Sequence, residues 1–179
     1  MIFAFLIVVS LILFFKGFIV LGKFSGKQVD CLNVAAGLSI WIMGLFIGMT
    51  DNLGAVGPTQ SFVATASCMV FALTYVLLAG EIIAGTDFKA LGYYCFMAGL
   101  IMFLIGLGFF HVLGATLVAS SQFGVLWLLW AALFWLFWAC WGLGKTGLVP
   151  FTGYYTVFTA IFTALYPSIA FFNLGRIGW

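Results

Sequence analysis

Long apolar runs separated by short polar linkers dominate the pattern of this chain. The runs contain almost no charged side chains, whereas the linkers are rich in Gly, Asp, Asn, Lys and Pro. An apolar helix of about 20 residues crosses the roughly 30 Å hydrocarbon layer of a bilayer. We therefore predict an all-α integral membrane protein, a single transmembrane domain over residues 1–179, with six spans at 2–22, 31–50, 60–84, 91–113, 122–144 and 149–173.

The composition excludes a water-soluble protein. The 179 residues are 66% hydrophobic and 6% charged, and their mean hydropathy is +1.31. A soluble domain of this size could not bury so much apolar surface, because part of every such chain must face water. Once the six spans are assigned, no stretch remains for a soluble domain, so the function is expected to lie within the membrane.

The basic residues lie in alternate linkers and predict the orientation. Lys23 and Lys27 lie in the first linker, Lys89 in the third and Lys145 in the fifth, whereas the second and fourth linkers contain no Lys or Arg. Because loops rich in Lys and Arg stay in the cytoplasm, we expect the odd linkers to be cytoplasmic and both termini to be outside. Arg176, in the C-terminal tail, is the one exception.

An internal repeat divides the chain into three parts. Ala36-Gly37-Leu38 recurs as Ala98-Gly99-Leu100, at an offset of 62 positions, and Gly92-Tyr93-Tyr94 has a fainter echo in Gly153-Tyr154-Tyr155. The repeat predicts three helical hairpins in parallel orientation, each turning at a Lys-bearing linker. The glycines of the second and fourth spans also predict close helix contacts, which we expect between protomers of an oligomer.

Two side-chain stripes in the last two spans are the strongest functional signal. Aromatic residues recur at helical spacing in the fifth span, and hydroxyl residues do so in the sixth. The stripes are Trp127, Trp130, Phe134, Trp138 and Trp141, and Thr152, Thr156, Thr159, Thr163 and Tyr166. If they face each other, they form a flat slot for a small, neutral, planar solute. The alternative is packing, with each Thr bonded to its own helix.

Several short motifs occur in a characteristic order along the whole chain. They are Lys16-Gly17, Leu32-Asn33 with Ala36-Gly37-Leu38-Ser39, Phe71-Ala72-Leu73-Thr74-Tyr75, Trp127-Leu128-Leu129-Trp130 with Leu133-Phe134, and Thr163-Ala164-Leu165-Tyr166-Pro167. In order, spacing and topology the set resembles the bacterial urea channels and short-chain amide transporters of the AmiS/UreI family.

The resemblance implies a passive channel for urea or short-chain aliphatic amides in the bacterial cytoplasmic (inner) membrane. It also implies a hexameric ring in which each protomer has its own pore and lipid fills the centre. The residues that it places along the pore are Phe71, Tyr75, Trp127, Trp130, Leu133 and Phe134. The polar helix faces add Thr74, Thr156, Thr159 and Tyr166 as hydrogen-bonding groups along the same path.

Three positions and the external loops depart from what the resemblance implies. Lys16 stands where the family commonly has Asn, and Thr159 and Phe134 stand where the acid-gated relative has Glu and Trp. The acid-gated urea channels have long external loops with several His and carboxylates. Here His111 and Asp51 are the only titratable side chains of the predicted external loops, so we do not expect proton gating of that kind.

The remaining polar residues predict no catalytic or metal chemistry. Lys16 and Glu81 lie near the cytoplasmic ends of their spans, and we expect them to extend to the membrane surface. The alternative is that Lys16 points into the pore or pairs with Glu81. The four cysteines are widely spaced, and His111 is the single histidine. We therefore expect no cofactor, no metal, no enzyme activity and no nucleic-acid partner.

The sequence thus predicts a passive channel for urea or short-chain amides, in contact with membrane lipids and assembled as a homo-oligomer. A proton- or ion-coupled amide transporter is the alternative, and only Lys16 and Glu81 could supply its coupling site. A structural membrane protein would need no polar stripe across the membrane, and an enzyme lacks the necessary groups.

Overall fold

A computed structural model describes residues 2–50, 58–110, 112 and 121–174, and it is helical over nearly all of them. The helices are α1 (Ile2–Val20), α2 (Asp30–Thr50), α3 (Pro58–Ala84), α4 (Lys89–Phe109), α5 (Ser121–Phe137), α6 (Val149–Thr159) and α7 (Tyr166–Leu174). One π-helical turn, Trp138–Gly142, extends α5, and another, Ala160–Leu165, joins α6 to α7. Within these ranges there is no β-strand, and the predicted all-α fold of six spans is confirmed.

The surface of the bundle is apolar. Among the described residues, five helical stretches are long and apolar enough to cross a membrane, and Phe5–Val20 is a shorter apolar helix. Large apolar side chains such as Leu11, Ile42, Met49 and Phe62 are exposed on the protomer, whereas several polar side chains are buried. This distribution is the reverse of that in a soluble protein and fits a surface covered by lipid or by other copies of the chain.

Helices from consecutive hairpins form the tightest pairs. α2 packs most closely on α3, α4 on α5, and α6 on α1, whereas the two helices within each hairpin touch less. Repeat-related glycines permit the close approach: a Cβ on Gly37 would lie 3.2 Å from the carbonyl oxygen of Ala72, and one on Gly99 would lie 3.2 Å from that of Ala131. The expectation that these glycines form contacts between protomers is wrong, because α3 and α5 of the same protomer already fill the space.

Three equivalent turns, one within each hairpin, join the hairpin's two helices at the same end of the bundle. Gly22, Gly85 and Gly144 each adopt a left-handed conformation, with φ of 72°, 67° and 67°. Glycine suits this position because a side chain would clash with the backbone there. The amide that follows each glycine donates a hydrogen bond back to the end of the preceding helix, at 2.8, 3.1 and 2.9 Å. Each turn is followed by a lysine, and we call this end of the bundle the basic end.

The fainter repeat, the Gly-Tyr-Tyr motif, also makes equivalent contacts in its two copies. Tyr94 Oη on α4 donates to the carbonyl oxygen of Val70 on α3 at 2.7 Å. Tyr155 Oη on α6 donates to the carbonyl oxygen of Leu129 on α5 at 3.1 Å. The same residue of the Gly-Tyr-Tyr motif therefore bridges the two helices of a hairpin in each copy, as three repeated hairpins require.

The two π-helical turns change which side chains face inward. A π turn places one residue more in each turn than an α-helix, so all later side chains are rotated around the axis. After Ala160–Leu165, Pro167 and Ser168 are buried and Tyr166 is 46% exposed. Where α5 passes into the Trp138–Gly142 turn, the buried side chain is Phe137. Trp138 is only half-buried, and its ring contacts that of Phe96. The predicted stripes are therefore continuous through Thr163 and Phe134 but do not include Tyr166 or Trp138.

Candidate functional site

Three cavities follow one another through the interior of the bundle. The first, at the basic end, has a volume of about 340 Å³. The next two, which we call the middle and far cavities, have about 10 Å³ each, which is roughly the room that one water molecule needs. Lys16, Phe137 and Trp141 form a wall shared by the basic-end and middle cavities. The row of cavities is the candidate path.

Aromatic rings separate the middle cavity from the far cavity. The Phe71 ring lies edge-on to Trp130, with 4.8 Å between ring centroids, and is 5.4 Å from Phe134 and 6.0 Å from Phe5. Trp127 continues the cluster in the far cavity, 4.9 Å from Trp130. Edge-to-face contacts at these distances are mutually favourable and hold the rings closely packed. We call these five side chains the aromatic constriction.

Most of the predicted apolar and aromatic residues meet at this path. The residues predicted from the sequence that line the middle cavity are Phe71, Thr74, Tyr75, Leu133 and Phe134, and those that line the far cavity are Trp127 and Trp130. Phe5 and Phe137 also contribute, although the sequence analysis did not select them. Phe5 lies among many apolar residues of the first span, and no feature of the sequence distinguishes it from them.

Of the α6 threonines, Thr152 lines the basic-end cavity, whereas Thr156 and Thr159, which the sequence placed along the path, do not line any of the three cavities. Thr156 and Thr159 are fully buried, but their hydroxyls donate to the carbonyl oxygens of Thr152 and Tyr155 in their own helix, both at 2.6 Å. Thr74 also bonds its own helix, by donating to the carbonyl oxygen of Val70 at 2.7 Å. These hydroxyl protons are engaged by the backbone.

The two stripes do face each other at one point. Trp130 Nε1 donates to Thr163 Oγ1 at 2.7 Å, and both side chains are buried. The same hydroxyl donates to the carbonyl oxygen of Thr159 at 2.5 Å. Thr163 therefore orients the indole ring of the aromatic constriction from the neighbouring helix.

The polar atoms without a partner along the path are hydrogen-bond donors. Tyr75 Oη in the middle cavity and Trp127 Nε1 in the far cavity are buried and have no hydrogen-bond partner. A buried donor without a partner is costly. Both groups are therefore well suited to donate to an acceptor atom on a solute that enters the path.

Lys16 lies inside the bundle, so the expectation that it extends to the membrane surface is wrong. It falls one turn after Leu13 and two after Val9, on the buried face of α1, and only 4% of its surface is exposed. Its Nζ lies 4.3 Å from the centroid of the Tyr75 ring, and the residue lines both the basic-end and middle cavities. The proposed pairing with Glu81 is also absent: the Glu81 carboxylate accepts a hydrogen bond from Thr86 near the bundle surface.

The described part of the chain offers no metal site. No group of three or more His, Cys, Asp or Glu side chains is close enough there to hold an ion. Cys68, Cys95 and Cys140 are buried free thiols and Cys31 is an exposed one. His111 and Asp51, on which the expected lack of proton gating depends, lie outside the described residues.

Known proteins resemble this chain in sequence and in fold. The family model described as AmiS/UreI family transporter matches residues 1–174. The transporter protein AmiS2 of Rhodococcus erythropolis is 25% identical over 163 residues, which are 91% of this chain and 75% of that protein. An amidate substrates transporter protein of Mycolicibacterium smegmatis is 28% identical over 162 residues, which are 89% of this chain and 71% of that protein.

Solved structures of the Helicobacter pylori urea channel have the same fold. The crystal structure superposes with a TM-score of 0.79 at 20% identity, and the match covers 99% of this chain and 100% of the channel. The cryo-electron microscopy structure of the closed state also gives a TM-score of 0.79 at 20% identity, over 97% of this chain and 98% of the channel. The family consists of transporters and channels, not enzymes. This chain belongs to the AmiS/UreI family of transporters.

Proposed function

We propose that the chain is a passive channel for urea or short-chain aliphatic amides, with one path through each protomer. The observation that carries the proposal is the row of cavities with Tyr75 Oη and Trp127 Nε1 left without partners inside an otherwise apolar bundle. Family membership supports the same class of solute, because the relatives include transporters named for amide-type substrates and a urea channel.

The unpartnered donors select for a carbonyl oxygen. Urea and simple amides are planar, so they pass edge-on between aromatic rings and gain contact with the ring faces. Their carbonyl oxygen is a strong acceptor, which accepts first from Trp127 Nε1 and then from Tyr75 Oη as the solute moves toward the basic end. Sites that are weak and multiple allow fast release. This mechanism replaces the transfer between Thr156, Thr159 and Tyr166 that the sequence suggested.

Passage requires the aromatic constriction to open. The middle and far cavities are each about the size of one water molecule, which is too small for urea. Rotation of the Phe71 ring away from Trp130 would connect them, since these two rings are 4.8 Å apart and lie between the two cavities. Ring rotation of this kind needs no coupled ion, so it suits passive flow down a gradient.

The buried Lys16 favours one alternative, a transporter in which this side chain carries a proton. A proton-coupled transporter would accumulate solute when a pH gradient is imposed, whereas a passive channel would only equilibrate it. Radiolabelled acetamide uptake into proteoliposomes with and without a pH gradient distinguishes the two. Uptake above the equilibrium level would contradict the passive mechanism.

Solute flux tests the proposed path directly. In stopped-flow measurements on proteoliposomes, we expect urea and acetamide to permeate much faster than glycerol or salt. Tyr75→Phe keeps the ring and removes one hydrogen bond to the solute, which is worth about 1 kcal/mol, so urea flux should fall about fivefold. Tyr93→Phe is the matched control, because Tyr93 is exposed on the outer surface of α4. Equal flux in both variants would remove Tyr75 from the path.

We also propose a hexameric assembly in the bacterial inner membrane, with the basic end in the cytoplasm and both termini outside. The family resemblance supports the hexamer, and the exposed apolar side chains of α2 and α4, such as Ile42 and Met97, leave a surface that neighbouring copies or lipid must cover. Native mass spectrometry in mild detergent should show a hexamer. A purely monomeric preparation that conducts urea after reconstitution would contradict this assembly.

A further inference from the structure

Lys16 is a buried amine in the middle of the path, and none of the described residues that line the two cavities beside it is a carboxylate. The helices around the middle cavity present Thr74 and Tyr75 from α3, Cys95 from α4, Phe137 from α5 and Trp141 from the π-helical turn. None of these side chains is a carboxylate. The contacts of Nζ are with aromatic rings, at 4.3 Å from the centroid of Tyr75 and 6.0 Å from that of Phe137.

The acidic side chains of the described residues lie elsewhere. Glu81 accepts from Thr86, and Asp87 accepts from the amide of Lys89 at the start of α4. Neither of them, nor Asp30, lines the basic-end or middle cavity. Aromatic ring faces attract a cation, but less strongly than a carboxylate does in a site without water. The Lys16 amine therefore lacks an acidic partner among the described residues, and Lys16 lines both the middle cavity and the 340 Å³ cavity at the basic end.

We propose that Lys16 forms an oxyanion site in the path, and that the chain binds and conducts small planar monocarboxylates such as formate and acetate. The proposal rests on the path proposed above. Acetate has the same heavy-atom frame as acetamide, so the shape of the aromatic constriction does not distinguish the two. The site instead distinguishes solutes by their charge, because an ammonium group attracts a carboxylate and repels a cation of equal size. The pair that forms consists of an ammonium and a carboxylate, and an amine that is neutral before the solute arrives takes its proton from water.

Isotope exchange in proteoliposomes tests the proposal. Equilibrium exchange of labelled formate and labelled acetamide is measured at pH 8, where almost no free acid is present to cross the lipid unaided. The variants are Lys16→Met, which keeps the length of the side chain, and Lys23→Met, the matched control at an exposed lysine of the basic end. Removal of a hydrogen bond to a charged group lowers binding affinity about tenfold or more. We therefore expect the ratio of formate to acetamide exchange to fall about tenfold in Lys16→Met and to stay unchanged in Lys23→Met.

Competition between solutes in the wild-type protein tests the proposal even if the variants fail to assemble. Formate should slow acetamide exchange in the wild type, whereas chloride at the same ionic strength should not. Lys16→Asn, which introduces the residue that the family resemblance places there, gives a second variant and should behave as Lys16→Met does. Guanidinium, a planar cation shaped like urea, should not pass the wild type.

The outcomes separate this proposal from the proposed function. Acetamide exchange without formate exchange or competition would overturn the oxyanion site and leave the amide channel intact. Formate exchange that is equal in the wild type and in Lys16→Met would also overturn it. Exchange of neither solute would refute the proposed channel itself.

Discussion

Thr163→Val tests whether α7 and the π-helical turn before it orient the aromatic constriction. The substitution keeps the shape of the side chain and removes the acceptor of the 2.7 Å hydrogen bond from Trp130 Nε1. Trp130 is 2% exposed and Thr163 is 1% exposed, so water does not replace the lost partner. An unpaired buried donor costs about 1–3 kcal/mol. We expect unfolding in detergent to be easier by that amount.

Thr159→Val is the matched control for this prediction. Thr159 is equally buried and also donates to a carbonyl four residues earlier, at 2.6 Å, but its hydroxyl accepts no bond from the aromatic constriction. A helix loses less than about 1 kcal/mol when such a backbone bond is removed, because the carbonyl keeps its helical partner.

The two variants should also differ in selectivity. Without its hydrogen bond, the Trp130 ring is free to leave the edge-on contact with Phe71, and the wall that rejects non-planar solutes is lost. Stopped-flow measurements should therefore show a higher ratio of glycerol to urea flux in Thr163→Val than in Thr159→Val. Equal stability and equal flux ratios in the two variants would refute the view that Thr163 orients this ring.

Three further predictions follow from the fold and the path. Phe71→Ala removes the central ring of the constriction, so urea flux should rise and glycerol should leak in stopped-flow assays; unchanged selectivity would place the barrier elsewhere. Gly92→Ala would put a Cβ 2.2 Å from the amide nitrogen of Gly142, whereas Gly80→Ala meets no atom within 4 Å, so only the former should lower thermal stability in detergent, by about 1–3 kcal/mol or more. An impermeant maleimide added to whole cells should label Ser121→Cys but not Ser25→Cys, and labelling of the latter alone would reverse the proposed orientation.

The periodic features of the sequence predicted most of the fold. Apolar length located the six spans, and the repeated Gly and Tyr motifs located equivalent contacts, such as those of Tyr94 and Tyr155 with the neighbouring helix of each hairpin. These features are local, because the length of an apolar run and the spacing of its residues directly determine a membrane helix. The aromatic residues of the candidate site, such as Trp127 and Trp130, were accessible to the same reasoning.

The wrong predictions concern places where the backbone departs from regular α geometry, or where a residue's environment depends on how two helices pack together. Tyr166 was expected to share a face with Thr163, but the extra residue of the π turn rotates it outward by about 100°. Lys16 is buried because α3 and α5 place Tyr75 and Phe137 beside it, and the sequence of α1 alone does not reveal these neighbours. The glycines signalled close packing correctly, but the sequence did not specify that the partner helix belongs to the same protomer.

The close pairing of α1 with α6 has a consequence for how the chain is made. Gly17 and Gly153 meet where these helices cross, and a Cβ on Gly17 would lie 2.9 Å from the carbonyl oxygen of Gly153. Of the described helices, α1 is synthesised first, yet it finds its closest partner only in α6, after the helices between them have been made. Until then α1 has its looser packing on α2 and side-chain contacts such as that of Phe5 with Phe71, and the bundle stays open on one side. This side of the bundle therefore closes only after α6 has been synthesised and packs against α1.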